Sequence, residues 1–238
     1  MYYHGTTKDN ADVIVKDQFM LPSVGDDQWL GEGFYFYFDV EYAFRWILIK
    51  YTNNFTNKYT NNYDNIYEEY SIVSAEIHIN SERLFDLDNI NHRLLFISVK
   101  TEISKKIEQS VKYRDKVKNN RTVVDGVVFN YLFKYMKYGE KYDAVKAVFP
   151  ISYIFDDSRM DYLPEPQLCV KNIDIISDYK RCSTDKVPEQ HKKFIVNYNQ
   201  AKHDLKLKRN DYARYKSKPK SVKYKKEGLM SYDGNREN

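Results

Sequence analysis

The 238-residue chain is long enough for one substantial core, or for one domain of ordinary size with an appendage. With 42% hydrophobic and 16% aromatic residues, its composition is that of a globular protein rather than a disordered one. The two cysteines, Cys169 and Cys182, have no CxxC or His-rich ligand spacing. They indicate neither a disulfide framework nor a structural zinc site, and we expect no metal.

The formal net charge of +4 is unevenly distributed along the chain. Residues 200–226 contain eleven Lys and Arg against two Asp, a net charge of +9, which leaves −5 for the remainder. Lysines interleaved with tyrosines suit phosphate neutralisation combined with stacking on single-stranded bases. A solvated helix followed by a lysine-rich tail is the alternative. We therefore divide the chain into a domain at 1–199 and a basic helix or tail at 200–238.

The sequence shows no sign of a membrane or secretion segment. No apolar run approaches the roughly 20 residues of a membrane span. Residues 1–20 lack the basic-then-apolar layout of a signal peptide. We expect a cytoplasmic protein without a membrane partner.

The first forty residues are predicted to form a strand, a helix, a loop and a second strand. Asp9 or Asn10 is the expected N-cap of the helix, which should end before Pro22. Residues 20–32, rich in Gly, Pro and Asp, form the loop, where we expect a flexible cover over a ligand.

A second helix is predicted over residues 40–51, where we assign Trp46 to core packing. Residues 52–67 form an Asn/Tyr-rich tract that is typical of a solvated loop or insertion, with stacking on bases as the alternative. Apolar residues return as a strand at 70–79, and a short extended piece follows at 83–87.

The middle of the chain alternates between helical and extended patterns. Residues 89–118 have helical spacing with mixed charge. The segments 123–132 and 143–149 are rich enough in apolar and β-branched residues to predict central strands. Asp125 and Gly126 would make a tight turn or bend in the first of them. Periodicity by itself therefore predicts an α+β protein.

Two aromatic segments near the N-terminus carry the functional signal. Residues 2–7 read Tyr-Tyr-His-Gly-Thr-Thr, and residues 29–39 read Trp-Leu-Gly-Glu-Gly-Phe-Tyr-Phe-Tyr-Phe-Asp. Taken singly, such a His is more often a core residue, and such a run more often a half-buried strand. In this order and spacing, the pair resembles the NAD⁺-dependent ADP-ribosyltransferases of the diphtheria-toxin and poly-ADP-ribose-polymerase type. The resemblance implies a split, mostly antiparallel sheet around an NAD⁺ cleft, with flanking helices.

The resemblance also implies roles for individual residues, with NAD⁺ as co-substrate. His4 would hold the adenosine ribose hydroxyls, and the backbone of Gly5 would bond the nicotinamide amide. Tyr35 would stack on nicotinamide, because an aromatic face is flat, apolar and favourable to a cationic ring. Gly31 and Gly33 would let the loop bend over the ligand. The NAD⁺-binding residues implied are thus His4, Gly5, Thr6, Gly33 and Tyr35.

The third element of this family's His-Tyr-Glu set should lie at the start of a late strand. In Leu-Pro-Glu-Pro-Gln-Leu-Cys-Val-Lys at 163–171, Gln167 occupies the place of the catalytic Glu. A neutral amide can accept the ribose hydrogen bond but supplies no charge to an oxocarbenium-like transition state. Glu165 projects to the same face of a strand and could supply that charge or deprotonate the acceptor. Alternatively, Pro164 and Pro166 merely mark a surface edge strand.

Two classes of function follow from these residues. The resemblance implies transfer of ADP-ribose to a macromolecule, with RNA or DNA favoured by the basic tail and a protein side chain as the alternative. Simple NAD⁺ hydrolysis would need the same cleft. Because Gln167 stands where the family has its catalytic Glu, the alternative hypothesis is a catalytically weak module that binds NAD⁺ or nucleic acid. By family analogy the chain would be an intracellular toxin or phage-defence effector, with a cognate antitoxin as its partner.

Overall fold

The computed structural model describes residues 1–25, 27–54, 66–108, 121–150, 164–183, 187–193 and 195–197. The basic segment 200–226, the domain boundary at 199 and most of the 52–67 tract lie outside these residues. The predictions made for those three features therefore stay predictions.

Seven strands of the described chain form one open sheet. They are β1 (Tyr2–Thr7), β2 (Phe34–Tyr37), β3 (Tyr70–Ile77), β4 (Leu84–Asp86), β5 (Ala144–Pro150), β6 (Pro164–Val170) and β7 (Ile176–Arg181). Their order across the sheet is β4-β5-β6-β2-β1-β3-β7. The pairing of β4 with β5 is parallel, and the other pairings are antiparallel. The predicted mixture of helices with a mostly antiparallel sheet is confirmed.

Helices flank the sheet. They are α1 (Lys8–Asp17), α2 (Val40–Asn54), the short α3 (Ile66–Glu69), α4 (Ile90–Glu108) and α5 (Arg121–Asn130). The N-cap of α1 is Thr7, not Asp9 or Asn10, since its side-chain oxygen accepts a hydrogen bond from the backbone N–H of Asn10. The extended backbone of β1 runs directly into the helix, so the last strand residue becomes the cap.

The prediction of a central strand at 123–132 is wrong. Most of this segment lies in α5, which continues into a π-helical turn over Tyr131–Tyr135. Val128, Phe129 and Leu132 are buried together, and the ring of Phe129 stacks on Phe96 of α4 with centroids 4.7 Å apart. Packing on a neighbouring helix thus outweighs the β-branched composition. The Asp-Gly pair at 125–126 lies inside the helix and makes no turn.

The core is divided into three clusters around the sheet. One joins α1 to the centre of the sheet through Ala11, Ile14 and Phe36. A second lies under α2, and a third joins α4 and α5 to β4–β6. The apolar faces of the helices therefore cover the strands that carry the predicted site residues.

The central strands β1 and β2 separate soon after they meet. They pair at a single position, Tyr3 opposite Tyr37. By contrast, β1 pairs along all six of its residues with β3, and β2 along all four with β6. The sheet is therefore split between its two central strands beyond this one pair.

Candidate active site

Two adjoining pockets open at the split between β1 and β2. The first has a volume of about 470 Å³, and β1, β2, α2, β6 and the loop before β2 contribute to its walls. The second, of about 450 Å³, lies along α1 and is lined mainly by apolar side chains. His4, Ser23 and Trp46 line both pockets. Together they make an extended groove with a polar half and an apolar half.

The residues predicted for the site come from three separate segments, and the fold brings most of them together. The first pocket is lined by His4, Gly5, Tyr35, Glu165 and Gln167. Thr6 lines the second pocket only, and Gly33 lines neither pocket. A strand near the N-terminus, a second strand and a late strand therefore meet at one cleft.

The ring of His4 is fixed in the split. Its Nδ1 lies 2.8 Å from the backbone carbonyl oxygen of Tyr35. A carbonyl can only accept, so Nδ1 carries the proton and Nε2 keeps its lone pair. Burial lowers the pKa of His4 and outweighs the opposing effect of the hydrogen bond to Tyr35. The imidazole is thus neutral at physiological pH, with Nε2 able to accept a hydrogen bond from a hydroxyl group.

The glycine after this histidine is required by helix packing. A Cβ at Gly5 would lie 2.8 Å from Cγ2 of Ile47, 2.9 Å from the carbonyl oxygen of Ala43 and 3.0 Å from Cε3 of Trp46. The structure thus shows a close approach of Gly5 to α2, and the close approach to a ligand stays a prediction. By seating α2 on β1, Gly5 sets the position of Trp46 at the pocket wall.

Tyr35 connects the pocket to the loop that precedes it. Its hydroxyl donates to the carbonyl oxygen of Gly31 at 2.7 Å and accepts from the N–H of Leu30 at 2.8 Å. Burial raises the pKa of Tyr35 well above its usual value, so the phenol stays neutral. With both ends of its hydroxyl engaged, the side chain offers the pocket its aromatic ring.

The loop that we predicted as a flexible cover is tied down at its base. The backbones of Ser23 and Gly33 exchange hydrogen bonds of 2.8 and 3.0 Å, and Lys171 Nζ donates to the carbonyl oxygens of Leu30 and Glu32. Gly33 has φ of +154° and packs against β6, since a Cβ there would lie 2.5 Å from a backbone oxygen. Gly33 thus lets the loop meet the sheet, while Ser23 and residues 27–29 of the loop line the first pocket.

Gln167 and Glu165 lie side by side on β6, as the two-residue period of a strand predicts. Both are buried, with 6% and 2% of their surface exposed. Nε2 of Gln167 donates to Oε1 of Glu165, and the other carboxylate oxygen lies 2.6 Å from Nη1 of Arg45 on α2. Gln167 is in the middle of its strand, between β5 and β2, rather than at its start. The alternative of a surface edge strand is therefore wrong.

The remaining polar groups of the first pocket set its electrostatics. Burial raises the pKa of Tyr37 well above its usual value, and the charge of Glu165 acts in the same direction. Lys50, one turn after Trp46 on α2, lies with its Nζ 5.2 Å from the centre of that ring. The pocket thus combines a cation at its rim with a paired carboxylate at its base.

The sequence analysis assigns Trp46 to core packing, and Trp46 does pack against the core cluster under α2, but it also lines both pockets. Tyr37 and Lys50 of the first pocket, and Arg45 behind Glu165, are not predicted as site residues from the sequence. The available signal was the composition of α2: apolar residues cover nearly its whole circumference, so some of them must face something other than the sheet.

Among the described residues, there is no group of three or more His, Cys, Asp or Glu side chains that could hold a metal ion. No helix in the same part of the chain has the length and apolar character needed to cross a bilayer.

Comparison with known proteins adds a relative of undetermined activity. Over 221 residues the chain is 32% identical to uncharacterized protein MJ0359 of Methanocaldococcus jannaschii, an alignment that covers 85% of this chain and 95% of the archaeal protein. No family model matches the chain. No solved structure matches it either.

Proposed function

We propose that this chain, which belongs to the same family as the uncharacterized Methanocaldococcus jannaschii protein, is an NAD⁺-dependent ADP-ribosyltransferase. One observation carries the proposal: His4, Tyr35 and Gln167, from three distant segments, line a single pocket at the split of the sheet. Their types, order and spacing resemble the His-Tyr-Glu transferases. The relative's name gives no activity and therefore adds no support.

The nicotinamide end of NAD⁺ suits the first pocket. The ring of Tyr35 and the indole of Trp46 offer flat faces to the cationic pyridinium. Lys50 supplies positive charge at the rim, where a diphosphate needs it. The pocket volume of about 470 Å³ is within the range of small-molecule sites.

The adenosine end suits the second pocket. Val13, Ile14, Phe19 and Leu21 give it an apolar lining, which favours a flat base. His4 lines both pockets and its Nδ1 is engaged by the carbonyl oxygen of Tyr35, so its Nε2 would accept a hydrogen bond from a ribose hydroxyl. An extended dinucleotide would thus use both halves of the groove.

The proposed reaction is cleavage of NAD⁺ at its nicotinamide glycosidic bond. The bond between the ribose carbon and the pyridinium nitrogen breaks, its electron pair stays on nitrogen, and neutral nicotinamide leaves. The sugar carbon, now oxocarbenium-like, is attacked by an oxygen or nitrogen of the acceptor, or by the oxygen of water. The new bond forms at that carbon, and the proton of the attacking group passes to solvent. Gln167 accepts a hydrogen bond from the sugar and orients it. Since its amide has no charge, we expect slow turnover compared with an enzyme that has a free carboxylate there.

The uncharged amide of Gln167 also supports a second candidate function. The carboxylate of Glu165 is paired with Arg45, so its negative charge is compensated. A pocket with a neutral amide and a compensated carboxylate can bind NAD⁺ without cleaving it. Calorimetric binding of NAD⁺ with no nicotinamide release would favour this binding-module function over the transferase.

The acceptor is best sought among polyanions. The net charge of +9 at 200–226 opposes the charge of the rest of the chain, and Tyr212, Tyr215 and Tyr224 are interspersed there. Such a segment can recruit RNA or DNA. A protein side chain is the alternative acceptor. A toxin or defence role is tested by growth of cells that express the protein or its Tyr35→Ala variant.

The experiment that tests the transferase uses NAD⁺ labelled in its adenylate. The full chain is incubated with labelled NAD⁺ in separate reactions, each of which contains total RNA, DNA fragments or cell extract. We expect label on one class of acceptor. The Tyr35→Ala variant should lose that labelling, whereas Tyr35→Phe, which keeps the ring, should retain most of it. No label on any acceptor and no nicotinamide release would refute the proposal.

A further inference from the structure

We propose that Arg45 is a positioning residue of this site, acting through Glu165 to hold the amide of Gln167 with its oxygen toward the bound sugar. The inference rests on the proposed function for its sugar ligand. The orientation of the amide can be measured without that function.

The three side chains form a buried chain of polar contacts. Arg45 comes from α2, directly before Trp46, and 8% of its surface is exposed. Its Nη1 lies 2.6 Å from Oε2 of Glu165. The second oxygen of the same carboxylate accepts from Nε2 of Gln167. A residue of α2 thus reaches the base of the pocket through two contacts.

The chemistry of these contacts fixes which end of Gln167 faces the ligand. An ionised carboxylate has only acceptor atoms, so the amide must turn its NH₂ group toward Glu165. The amide oxygen is then the end that Glu165 does not engage. A sugar hydroxyl can donate to that oxygen. This selection works only while Glu165 is ionised, and the guanidinium of Arg45 favours the ionised form.

The ion pair also has a defined direction relative to the pocket. Glu165 lines the pocket and Arg45 does not. The negative end of the ion pair is therefore the nearer end to a cationic sugar. A buried ion pair adds little net stability, because removing two charges from water costs about as much as their attraction returns. The ion pair therefore contributes little to the stability of the fold, whereas its effect on the orientation of Gln167 is specific.

The first test is the isosteric variant Glu165→Gln. Its new amide oxygen keeps the contact with Arg45, so its NH₂ group faces Gln167. The amide of Gln167 must then turn and present NH₂ to the sugar. We expect kcat for nicotinamide release to fall at least about tenfold, since a donor now stands where an acceptor is needed.

The exchange variant Glu165→Gln/Gln167→Glu is the matched rescue. The amide at 165 donates to the carboxylate at 167, which again offers an acceptor oxygen to the sugar. We expect release to recover to at least the wild-type rate. If Glu165 were only a structural partner of Arg45, the exchange variant would be as impaired as Glu165→Gln, because Arg45 lacks its counter-ion in both.

The role of Arg45 is tested by a conservative pair. Arg45→Gln removes the charge, and the buried carboxylate should take up a proton and donate it to the oxygen of Gln167. Release should fall as in Glu165→Gln. Arg45→Lys keeps the charge and should retain most of the activity. Equal losses in both variants, with native circular dichroism, would overturn the role of Arg45.

The side-chain amide signals of Gln167 in ¹H–¹⁵N spectra give a readout that needs no catalysis. In the wild type we expect them shifted and slow to exchange, as for donors to a buried carboxylate, and changed in Glu165→Gln. Unchanged signals in that variant would overturn the inference even if the enzyme is active. If the wild type releases no nicotinamide, the proposed function fails, while these signals still decide the orientation.

Discussion

Gly5 leaves no room for a methyl group between β1 and α2, so Gly5→Ala should lower both stability and activity. The added Cβ would lie 2.8 Å from Cγ2 of Ile47, 2.9 Å from a backbone oxygen and 3.0 Å from the indole of Trp46. Since favourable carbon contacts begin near about 3.5 Å, α2 must move by about 0.7 Å. Overpacking of this kind costs about 1–3 kcal/mol.

The same movement would displace the pocket wall. Arg45 and Trp46 are on the surface of α2 that shifts, and a misplacement approaching 1 Å can reduce a rate by about 100-fold. We therefore expect nicotinamide release to fall by about tenfold or more in protein that is still folded. The assays are urea unfolding followed by fluorescence, and nicotinamide release at 25 °C.

Gly139→Ala is the matched control. A Cβ there would meet its nearest atoms at 3.6 and 3.9 Å, which are ordinary contacts. Its stability should stay within about 0.5 kcal/mol of the wild type. If Gly5→Ala proves as stable and as active as Gly139→Ala, then α2 does not pack against β1 at Gly5, and Gly5 does not set the positions of Arg45 and Trp46.

Further predictions concern individual groups. Protonation of His4 removes its acceptor Nε2, so release should fall as pH drops below about 6.5, with an inflection below that value because burial lowers the pKa of His4. Stability should fall over the same range, since the unfolded chain takes up the proton first; urea midpoints between pH 7 and 5 measure this. Trp46→Ala should raise KM for NAD⁺ about tenfold or more in steady-state kinetics, whereas Trp46→Phe should raise it less. Neutralising most basic residues of 200–226 should leave nicotinamide release intact and reduce the salt dependence of transfer to RNA or DNA; an unchanged salt slope would exclude recruitment by this segment.

Elements with a strong local pattern could be predicted from the sequence. The alternating aromatic residues at 34–37 form β2, and the apolar run at 70–77 forms β3. The helix α2 was predicted at its observed start and three residues short of its end. In each case a run rich in apolar or aromatic residues forms an element that is largely buried.

The failures have a common cause in long-range packing. Residues 123–132 have a composition suited to a strand, but as part of helix α5 Val128 and Phe129 pack in one cluster with residues of α4, and Phe129 stacks on Phe96. The partner of Glu165 lies 120 residues away in sequence. No local pattern indicates such a pair. From the sequence, an Arg on an apolar helix is expected to be exposed, and only the fold shows that Arg45 is buried.

Only part of the candidate site could be predicted from the sequence, because several of its contacts join residues that are far apart along the chain. His4, Gly5 and Tyr35 lie in short motifs whose order can be read directly, and the fold places them in one pocket. The tautomer of His4 and the orientation of the Gln167 amide could not be predicted from the sequence. That His4 keeps Nε2 as an acceptor depends on the carbonyl of Tyr35, and the orientation of Gln167 depends on Arg45.

Nicotinamide release from NAD⁺, measured by chromatography with the full chain, decides whether the pocket at the split between β1 and β2 is catalytic. We expect slow release by the wild type and a loss of at least about 10- to 100-fold in both His4→Ala and Tyr35→Ala, as expected when a contact that positions the substrate is lost. Tyr135→Ala, which changes a tyrosine with 75% of its surface exposed, should release nicotinamide at the wild-type rate. Full release by folded His4→Ala and Tyr35→Ala would contradict the account, because the chemistry would then lie outside this pocket.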